Sequence, residues 1–94
     1  MNKFYVYMLV SIRKNNLISY VGYTNNLKKR LILHNNSKGA KFTKGRKWTL
    51  VYSKLYGSKA IAMKEEYLLK HDIKKRKKIK NKFLKNEDIN ITPV

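Results

Sequence analysis

The sequence contains no cysteine, which removes any disulfide framework, thiolate metal site or cysteine nucleophile. Acidic residues are nearly as scarce, with five Asp and Glu in 94 residues. Proline occurs once and glycine four times, and neither a linker nor an internal repeat divides the chain. No apolar run approaches the roughly 18 residues of a membrane span. The opening "MNKFYVYMLV" has one lysine, a short apolar stretch interrupted by aromatics and no small-residue cleavage site, so it does not read as a signal peptide. A cytoplasmic protein without membrane attachment is the expectation.

What is present is cationic and aromatic. Lys and Arg number 23, giving a formal net charge of +18. Such a surface repels itself unless a polyanion neutralises it, and nucleic acid is the usual partner. An AT-rich genome would also enrich lysine, asparagine and isoleucine, so the charge speaks for nucleic acid chiefly in company with the aromatics. Trp48, seven tyrosines and three phenylalanines suffice for a modest core, and the length suits one domain.

Phe4 to Val10 reads as a strand, with Phe4, Val6, Met8 and Val10 on one face and Tyr5, Tyr7 and Leu9 on the other. "RKNN" (Arg13 to Asn16) signals a turn of several residues before a second strand from Leu17 to about Tyr23. Asn25 or Asn26 can cap a helix that sets Leu27, Leu31 and His34 at i, i+4 and i+7, with Arg30 four residues before His34. Gly39 is placed to take a left-handed turn after it. A basic loop from Lys38 to Lys47 leads to a third strand over Trp48 to Leu55. A helix capped by Ser58 follows, from about Lys59 to His71. Asp72 to Asn86 is a third helix or a continuation of the second, and "EDINITPV" (87–94) reads as a frayed tail. The expectation is an α/β sandwich of a three-stranded antiparallel sheet and helices, in the order β-β-α-β-α-α, over residues 1–86.

The step "YVY" (Tyr5 to Tyr7) on the first strand is followed by "YVG" (Tyr20 to Gly22) on the second. A helix with Arg30 and His34, the loop "KGAKFTKGR" and a glutamate on a later helix come next. In that order they resemble the GIY-YIG nuclease family, in particular its short stand-alone members, over about residues 3 to 70. Tyr5 departs from the family's first glycine, and Val21 stands for isoleucine in the second tripeptide.

The resemblance implies a metal-dependent DNA endonuclease. Carried over by position, Tyr7 would activate the attacking water and Tyr20 would line the same site. Arg30 would hold the scissile phosphate, His34 would assist Tyr7 or the phosphate, and Glu66 would bind a divalent cation, Mg²⁺ or else Mn²⁺. The residues suit that chemistry. Magnesium takes oxygen ligands and keeps several waters, so one carboxylate plus substrate phosphate can hold it. A two-metal site, by contrast, needs more acids than this chain has to spare. Arginine grips phosphate oxygens bidentately. A phenol with pKa near 10 is a poor base, and the expectation is that Arg30 and the metal lower it. Gly22 would let the substrate backbone approach the second strand.

Helical periodicity puts Glu65 near the middle of an apolar stripe of Ile61, Ala62, Leu68, Leu69 and Ile73, and Glu66 on its margin. The family pattern also favours Glu66, with Glu65 as the alternative. Asn81 is the nearest match to an asparagine that family members place after the glutamate. Lys41, Thr43, Lys44 and Arg46 could contact phosphates, with a merely solvated loop as the other reading. The lysines from Lys74 to Lys82 add affinity without sequence preference.

Nothing resembles a base-reading module, so recognition would be structure-directed or weakly specific, with a protein partner as one source of specificity. No small-molecule substrate is expected. Two other readings stay open: a binding module that keeps the fold without the chemistry, and a basic structural protein of a ribonucleoprotein.

Overall fold

The computed structural model describes residues 3–86, so the tail at 87–94 lies outside the described residues. The elements run β1 (Phe4–Arg13), β2 (Asn16–Thr24), α1 (Leu27–Asn35), a 3₁₀ turn (Lys41–Thr43), β3 (Thr49–Tyr56), α2 (Lys59–His71) and α3 (Ile73–Asn86). This is the expected order around a three-stranded antiparallel sheet.

The strand order β2-β1-β3 makes the first strand the central one. A strand with partners on both edges and cover on both faces has no wet side, and Val6 to Val10 are all 2% exposed or less. On one face Val6, Met8 and Val10 join Leu17, Val21, Ala62, Leu69 and Leu84, a core closed by α2 and α3. On the other, Tyr7 and Leu9 pack with Trp48, Ile18, Tyr20 and the α1 residues Leu27 and Leu31. The second core is built largely of aromatics, and the tyrosine motifs lie in it.

Three local expectations change. The β1–β2 hairpin is tighter than a loop of several residues, because Arg13 still pairs with Asn16. Only Lys14 and Asn15 remain to turn the chain, both left-handed at φ 49° and 68°. That geometry matches the twist of a hairpin. After α1 the left-handed residue is Ser37 at φ 61°, not Gly39; Ser37 donates its backbone N–H to the His34 carbonyl at 3.1 Å. Asp72 separates α2 from α3 by accepting the Lys75 backbone N–H at 3.0 Å, an N-cap bond that starts a new helix.

The apolar stripe of α2 is also narrower than its periodicity suggests. Only Ala62 and Leu69 are buried, while Ile61, Leu68 and Ile73 are 50%, 48% and 70% exposed. Both glutamates lie between Ala62 and Leu69 in sequence, at partly buried positions.

Candidate active site

Strand register sets the first part of the site. Tyr7 faces Gly22 across the β1–β2 pair and Leu9 faces Tyr20, so Tyr7, Tyr20 and Gly22 share the face that α1 covers. Gly22 is needed there for room. A β-carbon on it would lie 2.5 Å from Tyr7 Oη and 2.7 Å from Cζ. The Tyr7 phenol therefore needs that side chain to be missing.

Helix α1 delivers Arg30 and His34. The Asn26 side chain caps it, accepting the Lys29 N–H at 3.0 Å, and Leu27 and Leu31 seat it on the aromatic core. His34 is fully buried. Its Nε2 lies 2.8 Å from Tyr7 Oη, and its Nδ1 lies 2.9 Å from Thr43 Oγ1. Thr43 donates its own hydroxyl hydrogen to the Ala40 carbonyl at 3.0 Å, so toward His34 it can only accept. The proton of neutral His34 therefore sits on Nδ1, and the bare Nε2 accepts the Tyr7 O–H. Burial, then the nearby charge of Arg30, lowers the His34 pKa and keeps this neutral form at physiological pH.

Of the two roles expected of His34, the structure has the one toward Tyr7, with the ring buried and both nitrogens engaged. Thr43 is also fully buried, so its hydroxyl orients the histidine instead of standing exposed on the loop for phosphate. Without a metal, and although Arg30 was expected to lower its pKa, the protein's own groups do not make the Tyr7 phenol more acidic. Burial pushes it up to about 12, with Arg30 pulling down and Tyr20 and Glu66 adding to the rise. Desolvation of the phenolate outweighs the single neighbouring guanidinium.

Tyr7, Tyr20, Gly22, Arg30 and Glu66 line one open cleft of about 440 Å³, together with Phe4, Tyr23, Thr24, Asn25 and Lys59. Arg30 Nε is buried without a hydrogen-bond partner. Tyr7 and, less strongly, Tyr20 raise the Arg30 pKa while burial opposes them, so the guanidinium stays charged. A charged guanidinium at the wall of a cleft suits an anion supplied from outside.

The two glutamates part company. Glu66 lines the cleft and pairs with Lys70 at 3.4 Å, whereas Glu65 Oε1 accepts the Tyr56 hydroxyl on β3 at 3.5 Å. Among the described residues no three His, Cys, Asp or Glu side chains cluster as a metal cage. A cation here would rest on the Glu66 carboxylate, substrate oxygens and water, a donor set that suits magnesium.

The other expected contacts lie away from the cleft. Arg46 Nε donates to Ser11 Oγ at 3.3 Å, and Lys41 and Lys44 are exposed on the loop. Asn81 lines a lysine-walled hollow with Asp72, Lys74 and Lys78, not the cleft that holds Tyr7 and Glu66. Lys59 was not anticipated, because the first residue after a cap reads from sequence as a solvated charge. Asn35 was missed too. Its side chain brackets the Trp48 backbone, accepting the N–H at 2.6 Å and donating to the carbonyl at 3.2 Å, which ties the end of α1 to the start of β3.

A family model described as the GIY-YIG catalytic domain matches residues 3–86. A UPF0213 protein of Staphylococcus haemolyticus is 46% identical over 71 residues, covering 74% of this chain and 83% of its own length. One from Staphylococcus saprophyticus is 41% identical over 81 residues, covering 85% and 94%. Another, from Lactiplantibacillus plantarum, is 36% identical over 92 residues, covering 95% and 85%. No solved structure matches the chain. The match to the whole described chain, joined to the two tyrosine strands and the helix that faces them, places this protein in the GIY-YIG nuclease family.

Proposed function

We propose that the protein is a divalent-metal-dependent DNA endonuclease that hydrolyses phosphodiester bonds. The observation that carries this reading is the hydrogen-bond chain Tyr7–His34–Thr43, which ends in a cleft shared with Arg30 and Glu66. A chain built only for packing would not need an acceptor nitrogen aimed at a cleft-lining phenol.

In this reading Tyr7 positions the attacking water and takes its proton. With its own pKa near 12, the phenol is protonated at neutral pH. It therefore passes its hydrogen to His34 Nε2 as it receives one from water, and His34 becomes the imidazolium. The hydroxide attacks phosphorus, the bond to the leaving oxygen breaks, and that oxygen takes a proton from solvent while His34 later returns its own to solvent through Tyr7. The Thr43 oxygen holds the Nδ1 hydrogen, so Nε2 stays the accepting nitrogen throughout. Arg30 binds the phosphate oxygens and offsets the charge that builds on them. Lys59 adds a cation at the rim.

Glu66 would hold Mg²⁺ or Mn²⁺, which when bound supplies Lewis-acid stabilisation of the phosphate and leaving oxygen. DNA is the substrate class that the family and the charge of +18 favour. Specificity would come from DNA structure or from a protein partner.

The test is a cleavage assay on labelled single-stranded, duplex, flap and branched DNA at low salt, with Mg²⁺ or Mn²⁺, beside Glu66→Ala and Tyr7→Phe proteins. Metal-dependent cutting lost in both variants with binding retained is the expected result. Tight binding without cutting by the wild type would make the protein a binding module that keeps the fold, and cutting that persists in both variants would mean a wrong site or a contaminant.

A further inference from the structure

The 3₁₀ turn displays an aromatic that the catalytic reading does not use. Phe42 is 57% exposed, yet its setting is held from below. The neighbouring Thr43 is fully buried and accepts from His34 Nδ1 while donating to the Ala40 carbonyl. The Thr43 carbonyl accepts the Trp48 indole N–H at 2.9 Å. The exposure of Phe42 is thus a position fixed by its neighbours, and a preorganised ring loses little freedom on binding.

Its surroundings say what it would bind. Tyr20 lies nearly parallel to the ring, with centroids 6.1 Å apart and planes 22° apart. A shallow depression is lined by Ser19, Tyr20, Val21, Phe42, Lys70 and Arg76. Tyr20 is also a wall of the cleft that holds Tyr7 and Glu66, so the two hollows adjoin along the edge of β2. Arg76 is steadied by a 3.2 Å bond from its Nε to the Leu69 carbonyl at the end of α2. Lys41 and Lys44, near Phe42 in sequence, are exposed on the same loop.

An open aromatic among cations suits a polyanion with aromatic faces. Only an unpaired, unstacked base offers its face to such a ring, since a base within a duplex is covered above and below.

We propose that Phe42, with Lys70 and Arg76, forms a subsite for an unpaired nucleotide next to the scissile phosphate. The base stacks on Phe42, and the cations take the backbone beside it. The substrate class is therefore DNA with a single-stranded stretch at or beside the cut. This rests on the nuclease reading for the position of the cut, while the stacking itself can be measured without any cutting.

Binding is measured in chelator by anisotropy on three labelled probes: a blunt duplex, the same duplex with a ten-thymine tail, and the single strand. Wild type is expected to prefer the unpaired probes. Phe42→Ala and Phe42→Leu are each expected to lose about tenfold on those probes, from stacking alone, with little change on the blunt duplex. Phe42→Tyr should keep the preference. A 2-aminopurine in the tail should be quenched by wild type and not by Phe42→Leu. Arg76→Gln should lower the salt dependence on single strands by about one phosphate contact.

Equal affinity of wild type for all three probes would overturn the proposal, as would Phe42→Leu behaving as wild type, or a loss shared equally by the blunt duplex. Cleavage is scored separately with Mg²⁺. A protein that stacks but never cuts refutes the nuclease and keeps the subsite, and one that cuts blunt duplex regardless of Phe42 does the reverse.

Discussion

The ring of His34 lies directly over Gly39. A β-carbon there would come 2.7 Å from both Cγ and Cε1 and closer still to Nδ1. Gly39 has no left-handed backbone to justify it, so its role is to leave space for a buried imidazole. Gly39→Ala should therefore destabilise the fold by about 1–3 kcal/mol, since the ring is held at both nitrogens and cannot step aside. Gly22→Ala should do likewise through the Tyr7 phenol. Gly57→Ala is the control, because a β-carbon there meets nothing within 4 Å. Thermal melts of the three variants check this: both site variants should fall by several degrees and Gly57→Ala should stay near wild type.

The hydrogen-bond chain predicts different outcomes at its two ends. Tyr7→Phe removes the group that touches the water, and should cost about 10²–10⁴-fold in cleavage rate. Thr43→Val leaves the phenol in place but strips the acceptor from a buried Nδ1–H, a loss of about 1–3 kcal/mol in stability, with a smaller rate loss as His34 changes tautomer. Thr43→Ser keeps the acceptor and should restore both. Single-turnover rates alongside urea melts separate these effects; equal rates for Thr43→Val and wild type would remove Thr43 from the chain.

Much of this was legible in the sequence, and what was not has physical reasons. Alternation on β1 separated the Tyr7 face from the Met8 face correctly, because a strand with fixed partners has no freedom of phase. The Tyr7–Gly22 pairing was not legible, because register depends on the hairpin turn, which is tighter than the sequence suggested. Nor was the partner of His34, since Thr43 reaches it through a loop whose course depends on Asn35 and Trp48, contacts between residues 13 apart. The effect expected of Arg30 alone on Tyr7 fell short for a related reason. The charge of Arg30 is visible in sequence, whereas the depth at which the phenol sits is set by two strands and a helix together. The choice between Glu65 and Glu66 could not come from helix phase, because both lie within the narrow span from Ala62 to Leu69 and different neighbours claim each.

His34 also makes a pH prediction. Its folded pKa lies below the ordinary 6.5, so the unfolded chain binds the proton more readily. The stability it contributes is complete above about pH 6.5 and is lost as pH falls from there through the depressed folded value. Protonated Nε2 can no longer accept from Tyr7, so cleavage should fall over its own, lower pKa in the enzyme. His34→Gln should flatten the melting temperature between pH 7 and 5 relative to wild type. A wild-type stability profile that is level over that interval, or that rises toward acid, would mean that His34 is not held neutral.

Lys70 and Glu66 supply the last prediction. Their 3.4 Å pair is partly exposed, with the lysine 48% and the glutamate 18% accessible, so it should be worth at most about 1 kcal/mol to the fold. Lys70→Ala should accordingly leave the melting temperature within a few degrees of wild type. The pair has a larger consequence for the metal, because a cation arriving at Glu66 must compete with the ammonium for the same carboxylate. Removing Lys70 should therefore lower the Mg²⁺ concentration for half-maximal cleavage a few-fold, measured at saturating DNA so that the lost positive charge does not enter through substrate binding. Glu65→Gln, which alters the carboxylate that accepts the Tyr56 hydroxyl on β3, should leave that concentration unchanged. If Glu65→Gln shifts it and Lys70→Ala does not, the metal sits on the wrong glutamate in this account, and the cleft loses its assigned ligand.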